Sequence, residues 1–155
     1  MNKVCDHKSV GILVRKNSKV LLIERGKYPW GFALPAGHVD QDKFFKDAAK
    51  RELWEEVGLR ANDFKFLIEG QKENPCRRGG GNWHYWKIYE ADVKGNIQRS
   101  QKETKQTRWL TRKQIQKLAN KTDQYLKGKI SESEWQKSPG LEPVWKEWLT
   151  ELHII

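Results

Sequence analysis

Three glutamates, Glu52, Glu55 and Glu56, stand at i, i+3 and i+4 in Phe44–Val57, a stretch without Gly or Pro. At about 100° per residue they share an arc of about 100° on one helix face. Like charges crowded in this way repel and cost helix stability. A divalent cation among their oxygens removes that repulsion, and hard oxygen donors suit Mg²⁺ or Mn²⁺ rather than Zn²⁺. Arg51 lies four residues before Glu55 and can steady its carboxylate from outside. Leu53 and Val57 point to a neighbouring face and can anchor the helix. An exposed Glu-rich helix with Arg and Lys partners would carry the same residues, so this spacing leaves both readings open.

The wider run from Gly37 to Leu59 separates them. Gly37, Arg51, Glu52, Leu53, Glu55, Glu56, Gly58 and Leu59 stand in the register of the box found in Nudix hydrolases. That box runs Gly, five residues, Glu, seven residues, Arg-Glu-aliphatic, one residue, Glu-Glu, one residue, Gly-aliphatic. With average residue frequencies, the fixed matches arise by chance about 10⁻⁷ times per window. The chain therefore resembles the Nudix (MutT-like) family over roughly residues 9–120. One position departs: Lys43 stands where the box has its first Glu, with Asp40 and Asp42 nearby as substitute carboxylates.

The resemblance implies an α/β fold, an α/β/α sandwich with a mixed β-sheet. It implies a hydrolase that uses Mg²⁺ or Mn²⁺ to cleave the phosphoanhydride linkage of a nucleoside diphosphate derivative. Glu55 and Glu56 would be the main metal ligands, with Glu52 a ligand or the water-activating base and a backbone carbonyl near Gly37 completing the sphere. Glu103 is the candidate for a distal acid, and the base is left open between Glu52 and Glu103. The alternative is a nucleotide- or RNA-binding module of the same fold, weakened in catalysis by Lys43.

A diphosphate needs cations and a nucleobase needs a platform. Arg77 and Arg78 precede Gly79-Gly80-Gly81, a loop that could close over phosphates. Trp30, Trp83, Tyr85 and Trp86 could stack a base. By strand alternation Trp83 and Tyr85 share one face and His84 and Trp86 the other, so at most one pair is expected to meet ligand. Cys5, His7, Cys76 and His84 could in principle hold zinc, but they lack close-paired CxxC spacing.

The whole-chain numbers set bounds. With 155 residues, one domain is expected, carrying a C-terminal helical tail from about residue 130. The net charge is +10, and residues 98–129 hold ten basic and two acidic residues. Such a basic stretch suits polyanions, RNA among them, or a solvated helix face. Two cysteines, no apolar leader among the first residues and no long apolar run point to a cytoplasmic protein without membrane partners. A homodimer is an open option, since the tryptophan-bearing tail could cover a partner.

The elements that must position these residues are readable in outline. Val10–Val14 and Val20–Ile23 read as buried strands joined by a turn at Asn17-Ser18. Tyr28–Gly37 reads as loop, Phe64–Glu69 and Trp83–Val93 as strands, and Glu73–Asn82 as a basic loop. Arg108-Trp109-Leu110 is a short strand before a helix that Thr111 and Gln114 would cap. Leu141, Trp145, Trp148, Leu149 and Leu152 recur at helical spacing and make an apolar stripe.

Overall fold

The computed structural model of the chain describes residues 3–155. Two four-stranded sheets form its centre. In the first, β1 (Lys8–Leu13) runs parallel to β7 (Trp83–Lys94) and antiparallel to β5 (Ala36–His38), and β6 (Arg60–Glu73) covers the far edge of β7. In the second, β3 (Lys19–Arg25) pairs antiparallel with β2 (Arg15–Lys16), β4 (Phe32–Ala33) and β8 (Thr104–Leu110). The helices are α1 (Phe45–Val57), α2 (Arg112–Leu126), α3 (Glu132–Lys137) and α4 (Pro143–Glu151). This is the α/β architecture of mixed strands with flanking helices that the sequence implies.

The hairpin turn falls where Asn17 and Ser18 predict it. Both residues have positive φ, 51° and 62°, the twist that a two-residue hairpin loop requires. The turn joins β2 to β3 within the second sheet, whereas β1 lies in the first, so β1 and β3 belong to different layers. Tyr28–Gly37, expected as loop, contains β4 and part of β5. These pieces are too short for a periodic signal, and pairing with β3 and β1 extends them. β6 is far longer than Phe64–Glu69 because two irregularities in its pairing with β7 let it continue while its side-chain alternation breaks.

Helix α1 ends at Gly58, whose φ of 70° is the left-handed conformation of a helix terminator. Its buried residues are Ala48, Ala49, Glu52, Leu53, Glu56 and Val57, one stripe at helical spacing. Two glutamates thus lie on the stripe that docks the helix. At α2 the expected cap is present: Thr111 Oγ1 accepts from Gln114 N, and Gln114 Oε1 accepts from Thr111 N.

The C-terminal segment completes the core. Leu141, Trp145, Trp148 and Leu149 are fully buried, and Trp145 meets Trp86 edge-on with ring centroids 5.3 Å apart. The tail tryptophans are therefore consumed inside the chain and leave no tryptophan face for a second copy. The basic segment 98–129 is spread over β8, α2 and their connections. Among the described residues no helix is long and apolar enough to cross a membrane. Replacing Trp145 by Ala should cost about 3–5 kcal/mol of stability, read from the shift of a urea unfolding midpoint.

Candidate active site

The buried stripe of α1 faces β5, and the contact is tight. A Cβ on Gly37 would lie 2.1–2.5 Å from the carboxyl atoms of Glu52, so only glycine lets the strand approach this closely. Glu56 Oε2 accepts from Ala36 N at 3.2 Å. The third carboxylate comes from the segment before β8. Gln98 N donates to Val57 O and Ser100 N to Glu56 O, which ties that segment to the end of α1, and Gly26 N donates to Glu103 O. Glu52, Glu56 and Glu103 each offer an oxygen, and these oxygens all lie within 4.8 Å of one another.

Glu55 stands off this group. Its side chain is half exposed, pairs with Arg51 at 3.3 Å and lines the outer cleft beside Glu52 and Glu103. The single arc of three glutamates is thus divided. Packing turns Glu52 and Glu56 inward, and Glu103 takes the third place in the inner group.

Arg51 organises the helix side. Its Nε donates to Asp42 at 2.8 Å, Nη1 to Glu52 at 2.6 Å, and Nη2 to the His38 carbonyl at 2.7 Å. Asp42 therefore supplies a carboxylate next to the departed box position. Lys43 itself is exposed, with its ammonium 5.2 Å from the centre of the Phe44 ring.

The electrostatics follow from burial. Loss of solvent pushes the Glu52 carboxyl up to about 7 against the pull of Arg51, and the Glu55 and Glu103 charges add to the rise. Glu56 is raised well above the usual carboxylate range, first by burial and then by Glu52. Burial, aided by the Arg78 guanidinium, lowers His38 to about 4, so its ring is neutral at pH 7.

An inner cleft of about 130 Å³ lies over these groups, lined by Gly37, Glu52, Glu56, Arg77, Arg78 and Glu103 among others. An outer one of about 690 Å³ shares Glu52, Arg77, Arg78 and Glu103 with it. The inner space suits a phosphate group, and only the outer is large enough for a nucleoside portion. Arg77 is exposed at the rim. Arg78 is engaged by Asp40 through two bonds of 2.5 and 3.0 Å.

The aromatic platforms fall differently from expectation. Trp83 and Tyr85 lie on the face of β7 away from the cleft. Trp83 stacks on His7 with centroids 4.0 Å apart, and the Tyr85 hydroxyl donates to Glu69. Alternation gives the cleft to His84 and Trp86 instead. Trp30 lines a separate hollow with Tyr28, Tyr125 and Trp135, beneath the Lys105 ammonium. Among the cleft residues that escaped the sequence reading are Arg25, Lys27, His38 and Glu142. Glu142 is buried 3.8 Å from Arg25 Nε, and burial raises its pKa despite that guanidinium. Its place beside the cleft depends on how α4 docks, which no local motif announces.

Comparison with known proteins follows this geometry. The family model of the NUDIX domain matches residues 6–129. Phosphatase NudJ of Escherichia coli K12 is 39% identical over 64 residues, which cover 39% of this chain and 40% of that protein. The matched segment thus spans about two fifths of the length of these curated relatives. A MutT protein from Methanosarcina mazei superimposes with a TM-score of 0.68 at 17% identity, over 99% of this chain and 96% of its own. The NUDIX domain of Shewanella oneidensis NrtR, solved in complex with ADP ribose, gives 0.59 at 18% identity, over 76% and 78%. At such identities the structural likeness speaks for the fold.

The raised carboxyls make stability depend on pH. Between the ordinary carboxylate range and about 7 the folded chain holds a proton on Glu52 that the unfolded chain has lost, so this contribution disappears as pH rises through that window. His38 acts in the opposite sense, gaining stability as pH rises from about 4 to its ordinary value. Comparison with Glu52→Gln isolates the first effect. In buffer without divalent cations, the variant should match or trail wild type near pH 5 and exceed it by on the order of 2 kcal/mol at pH 8, measured by urea unfolding.

Proposed function

The chain belongs to the Nudix family, and from that premise we propose that it is a metal-dependent hydrolase of the phosphoanhydride linkage in a nucleoside diphosphate derivative. The observation that carries this reading is the convergence of Glu52, Glu56 and Glu103 above Gly37. Three carboxylates this close are hard donors of the kind that hold Mg²⁺ or Mn²⁺. Burial first, and then the neighbouring carboxylates, raise the proton affinity of Glu52 and Glu56, an effect that a bound cation would oppose. Glu52, Glu56 and Glu103 would hold the metal, with Glu55 at the outer margin. Bound there, the ion supplies neutralisation of the phosphate oxygens and acidification of water.

The chain's own residues do the rest. Arg51 fixes Glu52 through Nη1 and is itself held by Asp42 and the His38 carbonyl. Arg77 and Arg78 make a cationic wall across the cleft from α1, where a diphosphate would be drawn in and oriented. Glu52 or Glu103 would take a proton from attacking water. A nucleoside portion would extend into the outer cleft, where no aromatic side chain lies among the described residues. Base recognition would therefore rely on shape and polar contacts rather than on a stacking ring. RNA remains a substrate class that the basic segment permits, with Lys102, Lys105 and Lys113 as its test positions.

The test is turnover with Mg²⁺ or Mn²⁺ on a panel of nucleoside triphosphates, dinucleoside polyphosphates and nucleotide sugars. Glu56→Gln should lower kcat at least about 100-fold on whichever substrate is hydrolysed. Tight binding with no release on any panel member would refute the hydrolase reading. Asp42→Ala should reduce turnover more than Lys43→Ala, because the carboxylate that steadies Arg51 comes from Asp42. Equal kcat in the two variants would contradict this role.

A further inference from the structure

A second cluster of metal-ligating side chains, three of which also line the inner cleft, is not used by the proposed hydrolysis. Cys5 Sγ is 3.2 Å from His84 Nε2 and 3.5 Å from His38 Nε2. Cys76 completes the group, and the four donor atoms all lie within 4.8 Å of one another. With Zn–S near 2.3 Å and Zn–N near 2.0–2.1 Å, the edges of a tetrahedral Cys₂His₂ site are about 3.3–3.8 Å. Both separations are sulfur–nitrogen edges, for which these bond lengths give about 3.5–3.6 Å: Cys5–His38 at 3.5 Å meets that value and Cys5–His84 at 3.2 Å is about 0.3 Å short of it. We propose that Cys5, His38, Cys76 and His84 bind one Zn²⁺ ion, in a structural site separate from the carboxylate group.

The four ligands come from four segments that sheet pairing brings together. β1 lies between β5 and β7, and Ser9 is the partner of both His38 and Trp86. His84 precedes Trp86 by two residues and so shares its face. Cys5 sits just before β1, where its N donates to Gly79 O, and Cys76 opens the β6–β7 loop. This explains why paired CxxC spacing is absent: the sheet supplies the proximity. His7, a sequence candidate, is not in the group because its ring stacks on Trp83 and its Nδ1 bonds the Trp83 carbonyl.

The surroundings are built around the sulfurs. His7 N points at Cys5 Sγ at 3.4 Å. A Cβ on Gly81 would lie 1.9 Å from Cys76 Sγ, so glycine there leaves the sulfur its space. Cys5 and His84 are buried, 5% and 1% exposed, while His38 and Cys76 are half-buried on the cleft side. Two thiolates and two imidazoles form a soft, four-donor set that favours Zn²⁺ and leaves no open position for substrate, whereas the carboxylate group selects a hard ion. The same set also distinguishes the cluster from a simple disulfide pair, which has no use for two histidines against one sulfur.

The consequence for the cleft is mechanical. The ion would pin the β6–β7 loop, with Arg77 and Arg78, to β5, with Gly37 and the carbonyl that holds Arg51. It would thereby set the distance between the cationic wall and the carboxylate helix.

The test reads metal, not hydrolysis, so it stands or falls independently of the proposed activity. Untagged full-length protein, expressed with zinc and desalted in excess Mg²⁺, should retain about one Zn per chain by elemental analysis. Co²⁺-exchanged protein should show the intense visible bands of a tetrahedral site together with thiolate-to-cobalt charge transfer. His38→Ala and Cys76→Ser should weaken zinc binding more than about 100-fold, since losing even an outer partner costs 10–100-fold. His7→Ala should keep wild-type affinity. Wild-type protein without retained zinc, a cobalt spectrum without thiolate bands, or a mass two hydrogens short from a Cys5–Cys76 bond would overturn the proposal. Equal losses in the His7 and His38 variants would overturn the ligand set. If the variants fail to fold, the wild-type metal content and cobalt spectrum decide alone.

Discussion

A carboxylate removed from water normally takes up a proton, and this fold buries two of them four residues apart on a single helix stripe. Glu52 and Glu56 are only 7% and 6% exposed. Their mutual repulsion and desolvation must be borne by the rest of the chain. Arg51 touches Glu52 directly, and the Arg25 charge acts on Glu56. Ala36 N donates to Glu56. The rest of the buried stripe is apolar: Ala48, Ala49, Leu53 and Val57 hold it against the sheet. The hydrophobic part of the stripe keeps the ionisable part where it is.

That constraint explains several features that look unrelated in the chain. Gly37 has no side chain because the Glu52 carboxyl occupies the space. The 98–103 segment hydrogen-bonds to the last turn of α1, and this carries Glu103 to the same point from a distant part of the sequence. β5 has only three residues, yet it contributes Ala36 N, the Gly37 gap and the His38 carbonyl to α1, while the His38 ring faces the sulfur cluster. One short strand thus has hard oxygen donors on one side and soft donors on the other, and donor chemistry alone would sort two different cations between them.

What the sequence made legible was local. The α1 boundaries, the Asn17-Ser18 turn and the Thr111–Gln114 cap each follow from neighbours within four residues. The carboxylate motif was readable for the same reason, because helical geometry converts spacing into direction. Sheet pairing has no such short rule. The division of Glu55 from Glu52 and Glu56 depends on which helix face docks. The choice between Trp83–Tyr85 and His84–Trp86 depends on which face of β7 turns inward, and alternation alone leaves that sign open. His38 could not be picked from the sequence because its neighbours in space, Cys5 and His84, are 33 and 46 positions away. Glu103 was reached through the family resemblance, and the backbone bonds that place it were invisible in the sequence.

The two-bond clasp between Arg78 and Asp40 alters how an anion would experience this cleft. A guanidinium already satisfied is not an idle attractor, since an incoming phosphate must take over a position that a carboxylate holds. The gain at Arg78 is then a difference between two similar contacts, and the exchange sets Asp40 loose at the cleft's edge as a fresh negative charge. Such a trade discriminates by geometry more than by strength. A ligand that fits the fork better than Asp40 displaces it, and an anion of the wrong shape leaves the clasp closed.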